Sequence, residues 1–306
     1  MSLNLGFLYQ IVGVMFIGCS TDGHGGAVFL DHVNINCTVF HCVFDSCRCT
    51  GSSSHGGGIV FVKSNIIFLS HNCFKNCRSF RCPGFLIWGY KGSSYQVIKS
   101  DLNMSSEYNP DLTGASSAMY SYNSVIYSGN NVSRSISNGI AAGVYFGCET
   151  SGLCCRFFTN SKCEGPGILG NAVYTPNTRN SIEFCNFIDS KANSGSGLVS
   201  IFWSNTVILN KCVFQKCSFE RVLTGSTGLL EFNSCIFDSI NSLAIFTYAT
   251  TNECAFTDGP LNHHTFLNTL MCETALSQLK DPFTNILPFT PSVSIPVYIL
   301  FFSIIF

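Results

Sequence analysis

The sequence predicts an all-β fold, a right-handed parallel β-helix of about ten coils with a C-terminal apolar tail. Three observations predict it: a recurrent Phe-x-x-Cys unit, short runs rich in β-branched and aromatic residues, and almost no helical periodicity between them. The unit reads Phe16-Ile-Gly-Cys19, Phe44-Asp-Ser-Cys47, Phe74-Lys-Asn-Cys77, Phe157-Phe-Thr-Asn160, Phe187-Ile-Asp-Ser190, Phe214-Gln-Lys-Cys217, Phe237-Asp-Ser-Ile240 and Phe256-Thr-Asp-Gly259. Two degenerate copies, Leu102-Asn-Met-Ser105 and Tyr127-Ser-Gly-Asn130, fill the long gap and restore a spacing of about 20 to 30 residues. Units of that period bury their apolar faces only against their neighbours, as in a stacked array.

A second cysteine often stands two residues before the Phe: Cys42, Cys155, Cys185, Cys212, Cys235 and Cys254. Residues two apart in a strand share a face, so this cysteine and the Phe point the same way. The runs Ile59–Val62, Ile66–Leu69 and Thr206–Leu209 are strands by length and composition, and Gly/Ser-rich clusters at 50–58 and 190–197 are the turns between such runs. Propeller blades need about 40 residues and four antiparallel strands each, which this spacing does not supply. Parallel crossovers are nearly always right-handed, which sets the expected hand. Phe44, Phe74, Phe157, Phe187, Phe214 and Phe237 are expected along one interior line.

Composition narrows the class. Hydrophobic residues make up 46% and charged residues 11%, so a sizeable core is available. The 16 basic residues are scattered singly against 17 acidic ones, and no nucleic-acid partner is implied. A solenoid core grows along one axis, so 306 residues need not divide into several globular domains.

Gly25-Gly-Ala-Val28 and Gly57-Gly-Ile-Val60, each followed by a Phe-x-x-Cys unit, resemble the paired Gly-Gly-aliphatic and Phe-x-x-Asn motifs of the polymorphic outer membrane protein repeat. The cysteine-rich form is similar to the large right-handed β-helix surface-protein families of parasitic protists. The resemblance spans roughly residues 10 to 260. It implies a surface-exposed passenger or ectodomain with a role in adhesion and a C-terminal membrane device.

The chain has 18 cysteines, and several repeat in register, so that like positions stack from coil to coil. Rungs about 4.8 Å apart lie inside the Cα window of roughly 4.4 to 6.8 Å for a disulfide, so two readings stay open. The ladder cysteines are small core hydrophobes, or some cysteines outside the ladders pair, such as Cys47 with Cys49, or Cys148 and Cys154 with Cys163. No Cys-x-x-Cys pair occurs, and Cys73 and Cys77 lack a matching second half, so no metal site is expected.

Three segments follow: a repeat domain over 1–260, a capping or stalk linker over 261–290 and a hydrophobic tail over 291–306. Val14–Cys19 followed by His24-Gly-Gly aligns with Val43–Cys47 followed by His55-Gly-Gly, so the solenoid is expected to be under way from the first residues. The tail is short of the roughly 20 residues of a membrane span unless Ile286 to Pro291 is included. It is read first as a membrane attachment, either a shortened transmembrane helix or a lipid-anchor signal, with the solenoid outside the cell, and otherwise as an ordinary apolar tail.

Parallel β-helices also carry polysaccharide lyases and glycoside hydrolases, whose chemistry needs converging carboxylates or carboxylate-bound calcium beside a base. Asp45 and Asp238 recur one residue after the Phe but many coils apart, and Asp189 and Asp258, two after it, fall on the opposite face. Asp101, Glu107 and Asp111 form the one local acid group, in an irregular stretch read as a solvated loop. His24 and His55 sit in repeating Gly turns, an architectural position, and His263-His264 reads as loop rather than metal ligand. No catalytic, metal or cofactor residue is assigned. The expectation is a non-catalytic surface protein for adhesion or cell contact, with a host-cell or carbohydrate ligand, and a carbohydrate-active β-helix enzyme is the alternative.

Overall fold

The computed structural model describes residues 8–98 and, beyond them, 101–103, 117–121, 124–133, 143–148, 153–156, 159–161, 163, 168–172, 179–191, 199–202, 206–217, 229–238, 249–257 and 261. Among these there is no helix, and every strand pairing is parallel. The chain is a β-solenoid. A ten-stranded sheet is built from short strands such as Met15–Ile17, Val43–Asp45, Cys73–Lys75, Asn186–Ile188 and Val213–Gln215, one per rung. A fourteen-stranded sheet forms the other walls, and a two-stranded one joins Ser20–Thr21 to Arg48–Cys49.

Three strands of the large sheet are long: Val28–Phe40, Ile59–Ser70 and Phe85–Ile98. Ile59–Val62 and Ile66–Leu69, read separately in the sequence, belong to one strand, bent where the register shifts around Ser64. Lys63 takes φ 57 at that bend. The bend costs little in unpaired groups, because the buried Tyr95 hydroxyl lies 3.0 Å from Ser64 Oγ and donates to Ser64 O at 3.2 Å. After Phe85–Ile98 the sheet divides. Ser117–Ser121 continues its first half and Ser124–Ser128 its second.

The core is the interior of the coil. Phe44, Phe74, Phe187, Phe214 and Phe237 are at most 1% exposed and lie in one register line of the ten-stranded sheet. Their rings stack face to face, 4.7 Å for Phe44–Phe74, 4.9 Å for Phe187–Phe214 and 4.7 Å for Phe214–Phe237. Phe16 and Phe256 extend the two stacks at 4.9 and 5.2 Å.

The expected line needs correcting between the two stacks. Leu102, Val132 and Asn160 hold it there, each in register with the next. Asn160 holds the place expected for Phe157, which lies outside the described residues. Tyr127 also belongs elsewhere, paired with Val97 and Cys155 in the large sheet. Its copy of the motif fails because the next strand, Asn131–Ser133, begins three residues after Ser128 and brings Val132 inward.

Candidate functional site

Five described rungs of the ten-stranded sheet, those of Phe16, Phe44, Phe74, Phe187 and Phe214, are flanked by two sharp corners, three residues before and two residues after the Phe position. Left-handed residues make them: His41 and Ser46, His71 and Asn76, Phe184 and Asp189, Lys211 and Lys216, with Gly13 and Gly18 in the first described rung. L-residues pay roughly 1–2 kcal/mol for such a backbone, so something must hold each corner. The residue that follows does so.

Two before the Phe position stand Cys42, Cys185, Cys212, Cys235 and Cys254; each thiol is within reach of the carbonyl two residues before it, the nearer acceptor for Cys185 at 3.3 Å, and of the carbonyl of one register line in the preceding coil. The acceptors in that line are Ile11, Cys155, Ile182, Leu209 and Phe232, at 3.4, 3.9, 3.5, 3.4 and 3.4 Å. Asn72 and Asn130 occupy the same position and bond the same line, Val39 O at 2.9 Å and Val97 O at 2.8 Å. Asn72 Oδ1 also accepts from Cys42 N at 3.0 Å. Three after the Phe position, Cys47, Cys77, Cys163 and Cys217 donate to Phe16, Phe44, Val132 and Phe187 carbonyls at 3.4, 3.4, 3.7 and 3.2 Å. At each corner these side chains add a bond to a carbonyl of the preceding coil and so tie the turn to its neighbour.

The cysteines at these two positions are therefore corner caps. Cys47, Cys49 and Cys163 are thiols, which overturns the pairings of Cys47 with Cys49 and of Cys163 with Cys148 or Cys154. Cys155 is not a corner residue but an interior wall residue in register with Tyr127 and Ile182. Cys73 is disulfide-bonded. Burial pushes Cys37 and Cys217 up to about 12 and Cys49 to about 11. Cys212 is raised well above its usual range by burial, and Cys235 chiefly by its bond with Cys212. Cys47 is the exception, held below the usual range by the hydrogen bond from Cys77. At neutral pH the raised thiols stay protonated and are poor nucleophiles or metal ligands.

The Gly-rich turns pack as closely. A Cβ on Gly57 would meet Pro83 O at 2.5 Å and Arg78 N at 2.7 Å, so only glycine fits there. In these turns the rings of His24 and His55 lie 5.3 Å apart, tilted by 40°, and His24 Nδ1 accepts from His55 N at 3.1 Å. Burial, then His24 and Arg81, lowers the His55 pKa below 6.5.

The acids named from the sequence do not converge among the described residues. Asp45 pairs in register with Lys75, Asp189 is an exposed corner residue, and Asp238 accepts from Lys216 N on a rung far from Asp45. Asp101 lies between Cys73 and Asn131 in the ten-stranded sheet rather than in a loop. Glu107, Asp111, Asp258, His263, His264, the linker from 262 and the tail 291–306 lie outside the described residues. Among the described residues no group of three or more His, Cys, Asp or Glu is placed to hold a metal, and no helix is long and apolar enough to cross a membrane.

The outer face of the three long strands carries apolar groups in water. Phe29 and Val33 are each 46% exposed, Ile66 53% and Trp88 50%. One ion pair, Lys63 Nζ to Asp31 at 2.8 Å, stands among them. The asparagine caps and the left-handed corners were missed from sequence. A short polar residue in the Cys position, as at Asn72 and Asn130, was the available signal. Comparison with known proteins finds no matching family model, no similar curated protein and no similar solved structure.

Proposed function

We propose that this chain is a non-catalytic cell-surface protein, a right-handed parallel β-helix of about ten coils whose flank makes contact with a host or neighbouring cell. The observation that carries the reading is a division of labour between corners and flank. Thiols and amides are committed to backbone carbonyls at the corners, while Phe29, Val33, Ile66 and Trp88 stand half exposed on three adjacent strands. Exposed apolar side chains on a rigid sheet favour a contact surface over a reaction centre. The ten-stranded sheet supports the coil number, and the bias of parallel crossovers supports the hand. Resemblance to the polymorphic outer membrane protein repeat and to the cysteine-rich β-helix surface proteins of parasitic protists supports extracellular placement. In this reading residues 291–306 attach the chain to the membrane.

The chain without residues 286–306, purified and fluorescently labelled, should bind candidate host cells saturably. Replacing Trp88 and Ile66 together by Ser should remove most of that binding while leaving the β-sheet circular dichroism unchanged. Release of reducing sugar ends from polysaccharides by the same preparation would instead establish an enzyme. Recovery of the truncated chain in the membrane fraction of expressing cells would rule out attachment through the tail.

A further inference from the structure

We propose that a disulfide between Cys73 and Cys272 clamps the segment after Leu261 onto the outer face of the ten-stranded sheet. Cys73 is disulfide-bonded, and every other cysteine whose side chain is described is a free thiol. Three cysteines are left as its partner: Cys148, Cys154 and Cys272. Backbone register removes the first two. Cys154 lies in line with Ile126, Gln96 and Phe68, three steps from the coil that carries Cys73. Gly147, next to Cys148, is likewise three steps from Val62, through Tyr120 and Trp88. Three steps at about 4.8 Å each are roughly 14 Å, about twice the Cα separation that a disulfide tolerates. Cys272, which lies outside the described residues, remains.

The face around Cys73 is covered. Cys73 precedes the inward Phe74 and so faces outward, in one register line with Val43, Asn131, Asn186 and Val213. Val43, Cys73, Asn186 and Val213 are 6, 5, 1 and 2% exposed, yet Val43, Cys73 and Val213 take no part in the interior cluster. Asn131, between them, is half-buried with its Oδ1 shielded from solvent. Two residues on, on the same face, Asp45, Lys75, Ile188 and Gln215 are half-buried, so the cover runs along one side of the sheet. It thins toward both ends, where Met15 and Ile236 are half-buried and Ala255 is exposed. A strip of chain lying across the rungs accounts for this burial.

Reach permits that path and shapes it. Phe256 stands seven rungs from Phe74, about 34 Å along the axis. The chain from Phe256 to Cys272 covers roughly 53–58 Å when extended but only about 24 Å as a helix, so it must cross the rungs largely extended. Between Leu261 and Cys272 it holds Phe266, Leu267, Leu270 and Met271 and no Asp, Glu, Lys or Arg, a composition suited to burial against Val43 and Val213. Bond formation removes a hydrogen from each thiol. The two protons and two electrons go to a disulfide oxidant such as glutathione disulfide, which leaves as two thiols.

The full chain, denatured and alkylated with iodoacetamide without reductant, should yield on tryptic digestion peptide 64–75 joined to peptide 222–280. Fragmentation should place the bond at Cys272 and alkyl groups at Cys235 and Cys254. An alkylated Cys73, or one joined to Cys148 or Cys154, would overturn the proposal. In the native chain trypsin should cut slowly after Lys280, and Cys73→Ser and Cys272→Ser should each speed that cut by about tenfold or more, with no further gain in the double variant. Cleavage after Lys191 and Lys211 should stay unchanged, which separates release of the segment from unfolding of the solenoid. Equal cleavage after Lys280 in all four chains would deny the bond its clamping role.

Discussion

The first three long coils, within 8–98, and the last coils, within 179–257, carry the same Phe stack on different amounts of chain. Phe16 to Phe44 is 28 residues and Phe44 to Phe74 is 30, whereas Phe187 to Phe214, Phe237 and Phe256 takes 27, 23 and 19. Ring spacing does not follow coil length: 4.9 and 4.7 Å in the first stack, 4.9, 4.7 and 5.2 Å in the second. What stays constant is the local unit of left-handed residue, cap, Phe and second corner. The stack is thus set by corner chemistry, and coil length is absorbed by the arcs between corners. The regions differ in their caps as well. The first block mixes Cys42 with Asn72, while the last has Cys185, Cys212, Cys235 and Cys254 in four successive rungs, flanked by an asparagine ladder from Asn210 through Asn233 to Asn252 at 3.1 and 2.9 Å.

The largest expected effect breaks one stack and spares the other. Phe214→Ala, between Phe187 and Phe237, should cost about 3 to 5 kcal/mol in urea unfolding, as for other buried aromatics. Because solenoid stability is summed over nearest neighbours, amide exchange should rise in the last block and stay near wild type around Phe44 and Phe74. Equal exchange increases in both blocks would mean a single cooperative unit.

Next in size is the cap. Asn72→Val leaves Val39 O and Cys42 N without their side-chain partner and should lose about 1 to 3 kcal/mol. Asn72→Cys should recover most of it, since cysteine bonds the same carbonyl line in four rungs of the last block. Chemical denaturation of the two variants side by side measures the difference, and equal losses would deny the caps their role.

A smaller, opposite change is expected at the corners. Lys211→Gly removes a left-handed side chain at φ 52 and forfeits its cation–π contact with Phe184 at 5.5 Å. The net should be a gain of about 0 to 1 kcal/mol, read as a raised thermal midpoint.

The smallest effect is confined to the first block. His55 has a folded pKa below 6.5, so above pH 6.5 both folded and unfolded chains hold it neutral and stability is flat. As pH falls below 6.5 the unfolded chain takes up the proton first, and stability declines until the folded value is reached. His55→Gln should flatten the melting temperature between pH 7.5 and 5.5, with no matching change on mutating a residue of the last block.

Much of the fold was legible because the interior line repeats one residue type at a readable interval. It held at Leu102, a degenerate copy in register with Phe74, and failed at the next two rungs, where Val132 and Asn160 hold the position. Aromatic decoys misled there: Phe157 stands three residues before Asn160, and Tyr127 before an Asn that in fact caps the corner ahead of Val132. The corners themselves left little trace. His, Ser, Asn, Lys, Phe, Asp and Glu all serve as left-handed residues, so no single letter marks them. Ladder cysteines were visible as a register, but their task of capping carbonyls depends on the preceding coil's backbone, which spacing alone does not reveal.

The constancy of the corner unit turns each coil into an interchangeable cassette. Because Val43 pairs with Cys73 and Phe44 with Phe74, excising residues 44–73 would join Val43 directly to Phe74 and leave every remaining register aligned. The rod would lose a single storey, about 4.8 Å of height. Such a molecule can lengthen or shorten by whole storeys through in-frame duplication or loss of gene segments, and each arc is free to drift in sequence without disturbing the floors above and below it.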